Sequence, residues 1–347
     1  MSWLEPFTPL HARSCRFTYG RLTRSPLARS LLLATLTALS ACPASASPFP
    51  TRDQNPLLAG YGLSMPMPAR IDAKNRWSFG ADFNWGNSAF AQASGSESLL
   101  VDAETRELNL SVGHGLGERF ALRLQLPYRY TGGGSLDDFI DHWHDFFNLP
   151  QGARPSLPID AIHIAYRRNG ETPIDIRSAA SGIGDVRAAA GYQWLDATNT
   201  SIAAWLDLKL PTGDADKLTG SGATDVSLLV AGEHRFSQRW SVFGQLGMSY
   251  LGSGDLLPDQ QRHFVGSGLL GVDVRVWRGL GFKLQLDGHS GAFSNTSLDY
   301  LGEATILTLG GDYRFASDWL LDFGVSEDVA VGTAPDVVFV FGVRRRL

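Results

Sequence analysis

The chain has 347 residues, 44% of them hydrophobic and 19% charged, with 30 Lys and Arg against 35 Asp and Glu for a formal charge of −5. Two cysteines in that length exclude a disulfide scaffold, and the acidic balance excludes the basic footprint of a nucleic-acid binder. Mean hydropathy is −0.08, and no stretch approaches the roughly 18 consecutive apolar residues that a membrane-spanning helix needs.

Residues 1–46 read as a signal peptide. Arg13, Arg16, Arg21, Arg24 and Arg29 make a basic n-region, residues 31–41 an apolar h-region, and Ala44, Ser45 and Ala46 a small-residue cleavage site. Leu39-Ser40-Ala41-Cys42 also has the form of a lipobox, so lipidation on Cys42 is the alternative; Pro43, which ends the h-region just before the site, favours the ordinary cut. That cut removes both cysteines, five Arg and one Glu, which moves the formal charge from −5 to −9. Residues 47–76 are proline-rich and lack sustained alternation, so they are predicted to be a periplasmic extension ahead of the folded domain.

From residue 77 onward, runs of about ten residues alternate apolar with polar, the period of a strand with one greasy and one polar face. In 77–85, Trp77, Phe79, Ala81, Phe83 and Trp85 oppose Ser78, Gly80, Asp82 and Asn84. In 264–277 and 280–288, Leu270, Val272, Leu284 and Leu286 oppose Asp273, Lys283 and Asp287. Alternation alone fits a soluble sandwich equally well. The connections discriminate. Short turns at 115–119, 195–200, 237–239, 278–279 and 316–318 alternate with long connections at 87–103, 131–182, 212–222, 251–263, 289–302 and 327–335. Outer-membrane barrels are built this way, with short turns periplasmic and long loops outside. Trp194, Phe236, Trp240, Trp277, Phe315 and Trp319 gather beside the short turns, as an interfacial girdle would. The expected fold is all-β: a transmembrane, antiparallel, up-and-down β-barrel of about 12 strands over residues 77–347, with a short extracellular helix and hairpin.

Within 131–182 the period changes. Leu136, Phe139, Ile140, Trp143, Phe146 and Phe147 recur at three- and four-residue spacing, which predicts an amphipathic helix. Asn169-Gly170 between two short runs predicts a tight hairpin. Its arms fall short of the ~9–11 residues of a spanning strand, so both pieces are placed outside the wall. Aromatics on such a loop need cover. Phe139, Trp143, His144, Phe146 and Phe147 are therefore expected as an extracellular lid packed into the barrel mouth, with contact to lipopolysaccharide or a hydrophobic ligand as the alternative.

Asp53-Gln54-Asn55-Pro56-Leu57 with Gly62-Leu63, and the stretch from Phe139 through Asp141-His142-Trp143-His144-Asp145 to Pro150 and Arg154, resemble a poorly characterised family of Gram-negative outer-membrane proteins, a domain-of-unknown-function family. Gly182-Ile183-Gly184-Asp185-Val186 and Leu210-Pro211-Thr212-Gly213-Asp214 are similar to barrels assigned as transporters of aromatic-degradation pathways. The resemblance implies a barrel in the outer membrane and brings no substrate or catalytic residue. The closing run, with Val337, Phe339, Phe341 and Val343 on one face, resembles the C-terminal signal read by barrel-assembly machinery, although Leu347 stands where that signal prefers Phe.

By parity the lumen face carries Arg123, Arg187, Asp207, Lys209, Asp225, Glu233, Arg235, Asp273, Arg275, Lys283, Asp287, Asp312, Arg314 and Asp322. They fit either a water-filled path with mixed-charge walls or a salt-bridged network that fills a narrow barrel, since buried charges must be paired. His142 and His144 with their neighbouring aspartates read as a solvated helix face rather than a metal site, because residues two apart on a helix do not share a side. His289-Ser290, with Ser294 and Asn295, is the nearest local cluster to a lipid-hydrolase site, and adjacent strand positions point oppositely.

The function expected is a passive channel or binding barrel for small molecules, hydrophobic ones among them, with no enzyme activity, no cofactor and no nucleic-acid partner. A structural envelope barrel without transport is the alternative, and an outer-membrane lipid hydrolase a more distant one. Outer-membrane lipid, lipopolysaccharide and the barrel-assembly machinery are the expected partners, with the solute left open.

Overall fold

The computed structural model describes residues 46–148, 151–315 and 318–347, and the predicted leader with its Cys42 alternative lies outside them. Fifteen strands and one helix follow in chain order: β1 (Trp77–Ser94), β2 (Glu97–Gly115), β3 (Phe120–Gly132), α1 (Asp137–Phe147), β4 (His163–Arg168), β5 (Glu171–Ile176), β6 (Ala180–Ile183), β7 (Arg187–Asp196), β8 (Thr200–Lys209), β9 (Asp225–Arg235), β10 (Trp240–Tyr250), β11 (Phe264–Trp277), β12 (Leu280–His289), β13 (Ala304–Arg314), β14 (Trp319–Asp328) and β15 (Val337–Arg346). Strands β1–β3 and β7–β15 form the wall. Each pairs antiparallel with its neighbour, and β15 returns to β1 in register from Ser78 opposite Arg346 to Asn87 opposite Val337, which closes a twelve-strand barrel.

The alternation sorts the side chains as a membrane wall requires. Leu124, Leu228, Leu246, Leu270, Phe282 and Phe341 point outward and exposed, Leu270 at 66%, whereas Asp207, Gln245, Asp273, Lys283, Gln285 and Asp322 point inward and are buried. A soluble sandwich would have hidden the first set. Among the described residues no helix is long and apolar enough to cross a membrane, so the crossing elements are strands. Turns of two to four residues join the strands at the end where the barrel begins and finishes, the periplasmic end of a barrel of this type.

Three expectations change. The connection predicted at 87–103 is strand almost throughout: β1 and β2 stay paired up to Ser94 opposite Glu97, around Gly95 at φ +58. The positive φ at the first turn position is one that glycine adopts without strain. The pair continues above the wall because its alternation continues, and Leu99, Val101 and Ala103 on its inner face lose their water there. The tip of the other hairpin has Asn169 at φ +52 and Gly170 at φ +87, and its arm β4 extends the sheet along the raised part of β2, from Glu97 opposite Arg168 to Asp102 opposite His163.

The second change concerns residues 47–76. They do not hang ahead of the barrel in the periplasm; residues 46–71 run through its interior. Phe49, Leu57, Leu58, Tyr61, Leu63, Met65 and Met67 are all buried. The physical reason is backbone satisfaction. A chain without secondary structure survives inside a barrel only if its N–H and C=O groups find partners, and the inward polar side chains supply them.

The third concerns the helix. It is no lid. Leu136 and Ile140 pack against Val337, with Trp85, Val325 and Phe339 alongside, all on the outer face of β1, β14 and β15. Ile140 is fully buried there and Phe139 rests on Phe339 with ring centroids 5.8 Å apart. The helical period identified a greasy stripe correctly, but the surface it covers is the outer wall. His144 is buried, the Trp143 indole N–H donates to Glu327 Oε1 at 3.1 Å, and Phe146 stands 82% exposed; the Phe147 side chain lies outside the described residues.

Candidate functional site: the plugged lumen

Glutamines on three strands hold the entering segment in the same way: the side-chain oxygens of Gln193, Gln245 and Gln285 accept from the backbone N–H of Ile71, Met67 and Phe49 at 2.9, 2.8 and 2.8 Å. Gln193 and Gln245 return their amide N–H to the carbonyls of Ala69 and Met65 at 2.9 and 3.0 Å. Each such pair imitates the hydrogen bonding of a neighbouring strand. Trp205, inside the wall, donates its indole N–H to the Pro68 carbonyl at 3.0 Å. Between these supports the plug residues Met65, Met67 and Ile71 share an apolar cluster with Ala121, Ala189, Ala203 and Leu229.

Higher up, the predicted lumen charges form closed sets. Arg187 pairs with Asp207. Lys209 Nζ reaches Asp185 and, at 3.0 Å, Asp225, and donates to the Gly60 carbonyl of the plug at 3.1 Å. Arg275 bridges Asp273 and Asp312, while Lys283, with no accessible surface, lies between Asp312 and Asp322 and against the ring of Phe49, 4.2 Å from its centroid. Lys283 also donates to the Ser47 carbonyl at 3.2 Å. Gln285 donates to Asp287, and Arg123 to the Ser111 hydroxyl at 2.8 Å. Glu233 lies 3.7 Å from Arg70, and Arg235 donates to the Thr198 carbonyl at 2.8 Å, both near the periplasmic turns; Arg314 is half-buried at the same end.

Arg187, Asp207, Lys209, Asp225, Asp273, Arg275, Lys283, Asp312 and Asp322 thus take the second of the two forms left open, a paired network in a filled bore, whereas Arg123, Arg235 and Asp287 are met by neutral groups. Among the described residues, three of the cavities inside the barrel have volumes of about 10, 30 and 50 Å³, space for at most a few water molecules each.

Several participants were not singled out by parity. Asp53 Oδ2 of the plug accepts from the Nε2–H of His289 at 3.0 Å, and Asn55 donates to the Tyr300 carbonyl at 2.8 Å. Asp185 ties three pieces together, accepting from Gly213 N at 2.8 Å, Ser221 N at 3.1 Å and Lys209. Glu107 and Arg129 form a further buried pair. The signal for Asp53, Asn55 and Asp185 was the family-like motifs in which they occur; the first motif attaches the plug to His289 and Tyr300, and Asp185 ties Lys209 to the loop at Gly213 and Ser221. His289 is engaged at both nitrogens, the other lying 3.1 Å from the Ser290 carbonyl, while Ser290 Oγ accepts from Gly266 N at 3.1 Å. The hydroxyl and imidazole of the hydrolase reading therefore do not meet.

The mouth is stoppered by an apolar core. Leu57, Leu58, Tyr61 and Leu63 of the plug meet Leu99 and Val101 of β2, Ile164 and Tyr166 of β4, Leu251 and Leu257, and Phe293 and Tyr300 of the long loops. Tyr61 packs edge-on to Phe293 with centroids 5.7 Å apart, and Phe90 stacks on Tyr300 at 4.8 Å. Outside the wall, Arg154 holds Asn87, Asp137 and Asp336 together, its Nε 2.9 Å from Asp336 Oδ2. Burial pushes the Asp336 carboxyl up to about 7 in spite of that guanidinium.

The fold matches that of the COG4313 outer membrane channel from Pseudomonas putida F1 with a TM-score of 0.56 at 16% identity, over 81% of this chain and 99% of that one. Looser likenesses are the Ralstonia pickettii toluene transporter TbuX, at TM-score 0.40 and 12% identity over 88% of this chain and 96% of that one, and KdgM porin, at 0.40 and 10% over 77% and 98%. No curated protein matches the sequence significantly. The sequence matches the family described as protein of unknown function (DUF3187) over residues 27–347, and the chain belongs to that family.

Proposed function

We propose that this protein is an outer-membrane channel for small molecules whose resting state is closed by its own N-terminal segment. The observation that carries the reading is the manner of closure. The bore is occupied by a segment without regular secondary structure, held non-covalently by side chains of the wall, among them three glutamines and two lysines that bond its backbone, so the path is blocked by something that can leave without dismantling the wall. The apolar lining of the mouth, with Tyr61, Phe293 and Tyr300, supports solutes with apolar or aromatic parts. The exposed outward face, the expected leader and the barrel fold support an outer-membrane location, with lipopolysaccharide and the assembly machinery as partners.

Planar-bilayer recording of the intact protein and of a variant lacking residues 47–73 tests the reading. The intact barrel should show rare, brief openings and the deleted form sustained conductance. A deleted form that is folded and silent would overturn it. The ion pairs around Lys283 and Lys209 favour a second reading, a rigid envelope barrel without transport, and that silence would be its signature.

A further inference from the structure

Among the periplasmic corners that carry an arginine beside an aromatic residue are four whose arginine is exposed: Arg76-Trp77 at the start of β1, Arg119-Phe120 at β3, Arg239-Trp240 at β10 and Trp277-Arg278 at the end of β11. The rings point outward and are between 46% and 73% exposed, which sets them where lipid chains give way to headgroups. The four arginines are exposed as well. Among the described residues none of them has a carboxylate at ion-pair distance. Arg119 donates to the Tyr192 hydroxyl at 3.3 Å and Arg239 to the Arg275 carbonyl at 3.3 Å.

Carboxylates do stand at this end, but they are turned to other cations: Asp196 to Arg70 at 3.0 Å and Glu118 to Lys74 at 3.9 Å. Inside the barrel the chain neutralises its arginines, as at Arg129, Arg187 and Arg344. An acidic protein that leaves four guanidinium groups uncompensated at one depth presents a site for anions supplied from outside. We propose that this rim binds the phosphodiester headgroups of anionic phospholipids and selects them over zwitterionic ones. The planar guanidinium fork matches phosphate oxygens, and the adjacent ring fixes its height. A zwitterionic headgroup would bring its own cation against the ring of arginines. β1 and β10 lie on opposite sides of the twelve-strand wall, a distribution that a surrounding lipid annulus meets and a single lateral protein contact does not.

The test is quenching of tryptophan fluorescence by brominated lipids in phosphatidylcholine vesicles, comparing brominated phosphatidylglycerol with brominated phosphatidylcholine. The wild type should favour the anionic lipid by about fivefold. The preference should fall to parity in a variant carrying Arg119→Gln, Arg239→Gln and Arg278→Gln that keeps its heat-modifiable mobility, and in the wild type at about 0.5 M salt. Equal quenching of the wild type by the two lipids, or a preference that survives the substitutions, overturns the proposal. Should the variant not fold, the salt series on the wild type decides: a preference unchanged by salt also overturns it.

Discussion

Arg154 and Asp336 meet across the line where the barrel closes on itself, with the guanidinium Nε 2.9 Å from the carboxylate. Asp336 immediately precedes β15, its backbone N–H donates to the Asn87 carbonyl of β1 at 3.0 Å, and Arg154 also bonds the Asn87 side chain and Asp137 at the head of α1. One side chain therefore ties the first strand, the last strand and the helix that covers their junction. Arg154→Met should loosen this clasp by about 3 kcal/mol, the scale of removing one partner from a buried charged set. Protease added to intact cells should then cut within 133–161, where the wild type resists. Equal resistance would show that the clasp contributes nothing.

The same pair sets a pH dependence. Burial raises the Asp336 carboxyl to about 7, so between the ordinary carboxylate range and that value the clasped form binds a proton that the loosened form does not. Its contribution to stability is fully present below about pH 4 and is lost as pH rises from there to about 7. Arg154, Asp137, Asp141 and Asp328 are the charged neighbours. Protection of α1 against hydrogen exchange should fall between pH 5 and 7 in the wild type and stay level in Asp336→Asn, which keeps an acceptor for Arg154.

Lys283 has no accessible surface and serves two carboxylates and the plug at once. Lys283→Met leaves Asp312 to Arg275 and Asp322 to Arg344, so the loss should be partial, about 3 kcal/mol. It should be read as a lower temperature for conversion of the folded to the unfolded band. An unchanged temperature would mean the network is not coupled to folding.

Gly62 is a point at which the plug lies close against the wall. Its N–H donates to Asp225 at 2.7 Å, and a Cβ placed on it would lie 2.4 Å from Asp225 Cβ. Gly62→Val should displace the plug while leaving the strands intact. Open time in bilayers should rise at least severalfold, with the heat-modifiable mobility retained.

Strand number, strand faces and the helix were legible because each is a local period. Leu270 and Asp273 declare their sides three residues apart, whatever the rest of the chain does. The plug was not legible, since its order comes from Gln193, Gln245 and Gln285, which lie more than a hundred residues away and obey the wall's alternation, not the plug's. A signal was present in the string from Phe49 to Met67, whose apolar residues have neither helical nor strand period and would be costly in open periplasm. The helix illustrates the same limit. Its stripe of Leu136 and Ile140 shows that something is covered, and only the position of Phe339 and Val337 on the outer wall shows what.

The most direct measurement is a cysteine pair at Ser64→Cys and Ser249→Cys, whose hydroxyls lie 3.4 Å apart between plug and wall. Mild oxidation of the folded protein should join them, shift the non-reduced mobility and abolish openings, with reductant restoring both. A pair that stays unjoined in a folded barrel, or one that joins without changing the conductance, would contradict a plug seated in the lumen as the gate.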